Sequence, residues 1–401
     1  MKIILASFVA TLLLLQSALA QNNYNEISLP QLMEKVKQGG KGYIILDVRS
    51  NGEYVDTVPG GRHIGIGRIK TAVNIPIQDL LQKPEAIAQL EKYKNEDVYV
   101  ICSHSYRSRR ISNLLMEKGF THVTNVKGGM TEWYRNNDVL HPYAAGILEN
   151  NIAYHNMAPA QLYRKLKGHE PIDLIGFRSP PRFFFDSLVA PLYNLYPDFK
   201  MATYFQPADT LALLEKLKGN KDKTIVLFNT IGGGASETAV WLTQKGYKQV
   251  NHLNGNLVAF YEYLANYQAA TAGDYMTLKS NLHFYTPLSF CQNRPANTQW
   301  VDLRHDTSFN KTTQGTKLSY KTLKGAVNFP FYKSADEFEK AFPDKSKLYI
   351  LLPEQGYVGV DLVNALLKKG YRLGWLIGGL ERWEWYTNNI DEFNCKDYFT
   401  H

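Results

Sequence analysis

Three stretches of this chain repeat one plan, and that repeat constrains the fold more than any other feature of the sequence. Tyr99–Phe120, Val226–Tyr247 and Tyr349–Tyr371 each run from an apolar β-type segment through a short loop into an amphipathic helix, and each stops at Lys-Gly-aromatic. The stopping glycines, Gly119, Gly246 and Gly370, lie 127 and 124 residues apart. A period that long means whole domains, because solenoid repeats run to only about 20–50 residues.

Further echoes keep step with the first. Val123–Trp133 (VTNVKGGMTEW) is matched by Leu373–Trp383 (LGWLIGGLERW) and more loosely by Val250–Phe260 (VNHLNGNLVAF). Upstream, Ile44–Arg49 (IILDVR) answers to Trp300–Arg304 (WVDLR) and faintly to Leu174–Arg178 (LIGFR), while Thr71–Pro76 pairs with Gly325–Pro330. Apolar β-type runs alternating with helical periods indicate βα units around a buried parallel sheet. The predicted fold class is therefore α/β, as three tandem domains, each a small parallel sheet with helices on both faces. The expected division is residues 1–20, 21–140, 141–275 and 276–401, with both inner boundaries in stretches of weak periodicity. A length of 401 residues accommodates this at roughly 100–200 residues per domain.

Met1–Ala20 has one lysine, an apolar run from Ile3 to Leu15 and small residues at Ala18 and Ala20. It is read as a secretory signal peptide cleaved before Gln21, which makes the mature protein an exported one, periplasmic or secreted. No later run is long enough to span a bilayer. The net charge of +8 is scattered rather than gathered into a basic block, which argues against nucleic acid as a partner and leaves small anions as natural ligands. Three cysteines cannot all pair within one molecule. The favoured pair is Cys291 with Cys395, which flank the last domain, because the ends of a compact domain often lie close. Cys102 is then the free thiol. Composition leaves the oligomeric state open.

Cys102 opens the loop Cys-Ser-His-Ser-Tyr-Arg-Ser, between the first repeated strand and its helix. In an open parallel sheet, ligands bind beyond the carboxyl ends of the strands. The first amides of the following helix lack partners within it and attract anions, and Arg107 adds a full charge, with Arg109 and Arg110 close behind. Such surroundings favour a nucleophilic thiolate at Cys102. The alternative for a lone cysteine is inert burial.

The Asp-Val-Arg strand end, Arg68–Pro76 (RIKTAVNIP), the Cys-x4-Arg-Ser loop and Gly128-Gly129-Met-x2-Trp133 together resemble the rhodanese-family sulfurtransferases. The resemblance covers residues 26–137, and weaker copies extend it over most of the chain. It implies that Cys102 takes a sulfane sulfur from a small anionic donor such as thiosulfate, carries it as a persulfide and passes it to a thiol or cyanide-like acceptor. It further implies that Arg107 helps hold the donor, that Ser103, His104, Ser105, Tyr106 and Ser108 line its site, and that no metal or organic cofactor is needed. Two departures stand out. Ser105 occupies a position where the family often has Gly, so a left-handed turn is less free there, and Thr71 stands where the third copy keeps Gly325.

Asp47 and Arg49 are read mainly as a structural ion pair, and Trp133 and Trp383 as core. Glu53 and His63 lie in a connection that the sequence does not place. Counting back 17 residues from each stopping glycine gives Cys102, Asn229 and Pro353, and the positions matching Arg107 are Gly234 and Val358. The second and third units therefore look silent. Two rival readings stand beside sulfur transfer: a non-catalytic binding or scaffold protein, and a cysteine phosphatase or arsenate reductase-like enzyme. The latter enzymes use Cys-x5-Arg rather than the Cys-x4-Arg found here.

Overall fold

The fold was read from a computed structural model, which describes residues 24–56, 65–135, 137–178, 195–206, 208–231, 234–309, 322–353, 359–390 and 393–399. The expected signal peptide, His63 and Val358 lie outside the described residues. Three five-stranded sheets follow one another along the chain. The first contains β1 (Asn25–Ser28), β2 (Tyr43–Asp47), β3 (Val73–Asn74), β4 (Asp97–Ile101) and β5 (His122–Lys127). The second contains β6 (His155–Met157), β7 (Ile172–Arg178), β8 (Thr203–Phe205), β9 (Thr224–Ile231) and β10 (Val250–Leu253). The third contains β11 (His283–Tyr285), β12 (Thr298–Asp302), β13 (Val327–Asn328), β14 (Leu348–Leu352) and β15 (Arg372–Leu376).

Numbered within its own copy, every sheet has the strand order 1-5-4-2-3, and every pairing is parallel. Register makes the copies superimpose by residue. Asp47 lies opposite Ile101, Gly176 opposite Phe228 and Asp302 opposite Leu352, so Cys102, Asn229 and Pro353 take equivalent register positions along the fourth strand. That strand sits where the order changes direction, which is where open α/β sheets bind ligands.

The central strands are largely apolar because both faces are covered. In the second sheet, Leu174, Val226 and Phe228 pack with Leu162 and Leu166 of α4 (Pro159–Lys167) and with residues of α7 (Asn256–Tyr267). The alternate residues Ile175, Ile225 and Leu227 pack with Leu213 of α5 (Thr210–Leu217) and with Ala239 and Leu242 of α6 (Ala235–Gln244). In the first sheet, Ile44, Leu46, Val98 and Val100 face Ile111 and Leu115 of α3 (Tyr106–Glu117). In the third, Leu351 and Leu373 face Val363 and Leu366 of α8 (Val360–Lys368).

The Lys-Gly-aromatic stop has one physical cause in all three places. The amide of Phe120 donates to Leu115 O (3.1 Å) and that of Gly119 to Met116 O (2.9 Å), and the same pair of bonds ends α6 at Gly246 and α8 at Gly370. This double closure needs a left-handed residue, and Gly119, at φ +83°, supplies it without a Cβ penalty.

By compactness the described residues form two units, one comprising residues up to Asp56 together with Ile66–Asn150, the other comprising Gly65 and Asn151 onward. The second unit holds two sheets, joined where Arg382 and Tyr386 of α9 (Gly379–Asn389) bond the Glu262 carboxylate of α7 at 2.7 Å each. Within that unit Cys291 and Cys395 are joined by a disulfide. Among the described residues, no helix is long and apolar enough to cross a membrane.

Candidate active site

Asp47 and Arg49 frame the carboxyl end of the first sheet. The buried guanidinium binds its neighbour's carboxylate through Nη2 at 2.7 Å and Nε at 3.0 Å, and it donates to Gly67 O at 2.9 Å. Asn74 Nδ2 ties β3 to the same turn by donating to Asp47 O and Arg49 O. Asp302, Arg304 and Asn328 repeat the arrangement in the third unit. These residues hold a strand end. Thr71 makes its turn without a left-handed backbone, whereas Gly325 is at φ +77°.

Cys102 follows β4 directly and is 1% exposed. Its carbonyl accepts from Met130 N (2.8 Å), and Ser103 O accepts from Thr131 N (3.1 Å) and Thr131 Oγ1 (3.0 Å). This clamp explains the Gly128-Gly129-Met landmark. A Cβ on Gly129 would lie 2.2 Å from Cys102 O and 2.7 Å from Ser103 C, at φ +63°, so only glycine lets the two chains approach.

Ser105 does take the left-handed conformation, at φ +73°. Its hydroxyl donates to Val126 O at 2.8 Å, and its buried position on the loop is fixed by that bond. Left-handed backbone is costly for a residue with a Cβ, so here a side-chain hydrogen bond offsets what glycine would avoid. Beyond it, α3 begins at Tyr106, which is half-buried, while His104 is exposed. Ser108 is fully buried beneath Cys102, with Sγ 3.5 Å from its hydroxyl.

The expected cluster of three arginines separates. Arg107 alone reaches the loop, Arg109 turns to Glu26 (3.2 Å), and Arg110 is exposed. The Arg107 fork is engaged by Glu53, with Nη1 to Oε2 at 2.6 Å and Nη2 to Oε1 at 2.7 Å. Ser103 Oγ completes the triangle, donating to Glu53 at 2.9 Å and accepting from Arg107 at 2.5 Å. Burial pushes the Glu53 carboxyl up, but the hydrogen bonds and charge of Arg107 outweigh it and hold the group below the usual carboxylate range. Arg107 is raised by Glu53 first, against burial, and the Cys102 sulfur adds to the effect.

Sequence reasoning therefore missed Glu53. Its signal was the Ser50-x-x-Glu53 capping box, which nucleates α2 (Asn51–Tyr54) and aims the carboxylate. Asn125 was missed as well. It is a fully buried polar residue in β5, 2.6 Å from the Ser108 hydroxyl.

The second copy fills its site with its own side chains. Asn229, in the cysteine's place, accepts from Ala235 N at 3.1 Å, so an amide oxygen caps the helix where an anion would sit. Gly234 is the left-handed N-cap of α6, whereas Arg107 lies within the first turn of α3, because β9 runs on to Ile231 and α6 starts two residues later in register. Ala235 and His252 replace Ser108 and Asn125. His252 Nδ1 is buried without a partner, and burial pulls the imidazole down to about 4 despite Glu237 and Asn256. In the third copy, Pro353 O accepts from Leu380 N (3.0 Å), keeping the clamp while offering no thiol. Among the described residues, no cluster of three His, Cys, Asp or Glu side chains is placed to hold a metal.

The model of the rhodanese-like domain matches residues 28–136. The tRNA uridine(34) hydroxylase of Cytophaga hutchinsonii is 31% identical over 90 residues, 22% of this chain and 26% of that protein. The adenylyltransferase and sulfurtransferase UBA4 of Meyerozyma guilliermondii is 30% identical over 105 residues, 25% of this chain and 22% of that protein. The chain thus spans about a quarter of the length of these two relatives. The uncharacterized protein YqhL of Bacillus subtilis is 31% identical over 100 residues, 25% of this chain and 68% of that protein. Three sheets of one topology, a cysteine loop at the end of the first central strand and these matches lead to one conclusion: the chain belongs to the rhodanese-like sulfurtransferase family.

Proposed function

We propose that this protein is an exported sulfurtransferase that moves a sulfane sulfur from thiosulfate or a similar anionic donor to a thiol or cyanide-like acceptor through a persulfide on Cys102. The observation that carries the reading is the position of Cys102, one residue beyond the central strand and just ahead of α3, with Arg107 in the first turn of that helix. Export rests on the sequence of residues 1–20 alone.

In the forward half-reaction the Cys102 thiol gives its proton to solvent, and its sulfur attacks the outer sulfur of the donor. A Cys102 S–S bond forms, the donor S–S bond breaks, and its electron pair leaves on sulfite. The acceptor then attacks the outer sulfur, and the Cys102 thiolate departs. The loop amides and Arg107 face the negative charge of donor and persulfide. The two units without a loop cysteine serve to position partners or to pack.

The test is thiocyanate formation from thiosulfate and cyanide, with phosphate-ester hydrolysis in parallel, for the wild type and Cys102→Ala. The expected result is transfer that vanishes in the variant, with one sulfur atom added to Cys102 by intact mass after donor treatment. Absence of Cys102-dependent transfer from any common donor overturns the enzyme reading.

A further inference from the structure

The Ser108 hydroxyl lies at a junction. It is 3.5 Å from Cys102 Sγ, 3.1 Å from Ser105 O and 2.6 Å from Asn125 Oδ1. A hydroxyl has a single hydrogen, so the orientation of its neighbours decides which way it points. Ser105 O only accepts. The Asn125 amide is oriented from the far side: its Nδ2 stands 2.9 Å from Glu26 Oε1, and a carboxylate also only accepts. The nitrogen must therefore face Glu26 and the oxygen must face Ser108. Arg109, 3.2 Å from the same Glu26 oxygen, holds that carboxylate in place.

Both short-range neighbours of Ser108 thus demand its hydrogen, and a lone pair is left toward the sulfur. A lone pair accepts from S–H and repels S⁻. We infer that Glu26 and Asn125 are positioning residues which, through Ser108, restrain Cys102 as a thiol until the hydroxyl turns. Arg107, in the first turn of α3, faces the same sulfur with its positive charge. The resting sulfur is held between the two. A persulfide extends its charge one atom outward, away from Ser108, so loading with sulfur relieves the restraint that the free thiolate meets.

The inference rests on the reading of Cys102 as the reacting sulfur, and its test does not require turnover. The readout is thiolate ultraviolet absorbance at pH 7, taken as the difference from Cys102→Ser in each background. In Glu26→Ala the Asn125 amide loses the acceptor that orients it, so it can turn its nitrogen to Ser108 and release the serine hydrogen to the sulfur. The ratio of thiolate to thiol should rise about fivefold, the equivalent of one neutral hydrogen bond. Asn125→Ala should act the same way by removing the acceptor. In a Ser108→Ala background neither change should have any effect.

Unchanged or lower thiolate in Glu26→Ala or Asn125→Ala overturns the inference, and so does a rise that persists without Ser108. If the cycle behaves as expected while the wild type transfers no sulfur, the proposed function fails and this inference stands. The reverse outcome separates them the other way.

Discussion

Replacing Gly129 by alanine should disturb the cysteine loop without touching the thiol. The added Cβ would sit 2.2 Å from Cys102 O and 2.7 Å from both Ser103 C and Ser103 O, all of them backbone atoms. No side chain can swing away, so the two chain segments must separate. Left-handed backbone costs an alanine about 1–2 kcal/mol. Separation also weakens the two bonds from Met130 and Thr131 to the loop carbonyls, at about 1 kcal/mol each. The expected loss is about 3–4 kcal/mol, a large part of the roughly 5–15 kcal/mol that holds a domain together. Gly119→Ala is the control, since at φ +83° it carries the same backbone cost but meets only the flexible Lys94 Cε at 3.3 Å. It should lose only about 1–2 kcal/mol. Amide exchange of β4 and α3 against urea reads the first unit by itself. Transfer should fall on the order of 100-fold in Gly129→Ala, because a loop moved by about an ångström no longer aligns its nucleophile, and should change little in Gly119→Ala. If the two variants match within about 0.5 kcal/mol and Gly129→Ala keeps its rate, the clamp does not position the loop.

Three further outcomes are expected. Glu53 is held below the ordinary carboxylate range of about 4.3, so its pairing with Arg107 stabilises the fold above that pH, and this contribution disappears as pH falls through the lower folded value. Urea midpoints across the acid limb should be flatter for Glu53→Gln, and the KM for thiosulfate should drop roughly fivefold as a carboxylate stops repelling the donor; an unchanged KM refutes that competition. His252, pulled down to about 4 by burial, stays neutral in the fold while the unfolded chain takes up a proton near pH 6.5. Its contribution is intact above 6.5 and is lost progressively toward 4, about 2 kcal/mol of it by pH 5, and the pH dependence of unfolding should lose this component in His252→Leu. The Cys291–Cys395 disulfide spans a sequence separation of 104 residues, and loop closure on that scale is worth about 4–5 kcal/mol. Denaturant unfolding with and without reductant should show a loss of that size in the third sheet and none in β4 or α3.

The chain alone determined the α/β class, the three copies of one unit and the loop that carries Cys102. That information is local, because apolar periodicity, the Lys-Gly-aromatic stop and the spacing from glycine to cysteine are all read within one βα unit. Even the equivalence of Cys102, Asn229 and Pro353 follows from counting along a strand and helix whose lengths vary little. What surrounds the sulfur was decided only by tertiary structure. The strand order 1-5-4-2-3 brings the turn after β2 and the whole of β5 to the end of β4, so Glu53 meets Arg107 across 54 residues and Asn125 meets Ser108 across 17. No spacing rule links such pairs. Arg107 read from the sequence was a free cation awaiting a donor; in the fold it shares its charge with a carboxylate. Ser105 read as a hindrance; in the fold its hydroxyl secures the left-handed turn by bonding to Val126 O, a carbonyl from another strand. Sequence pattern fixes which residues must be buried, because burial follows periodicity. Packing decides which polar groups they meet there, because the partners come from strands that only the sheet makes neighbours.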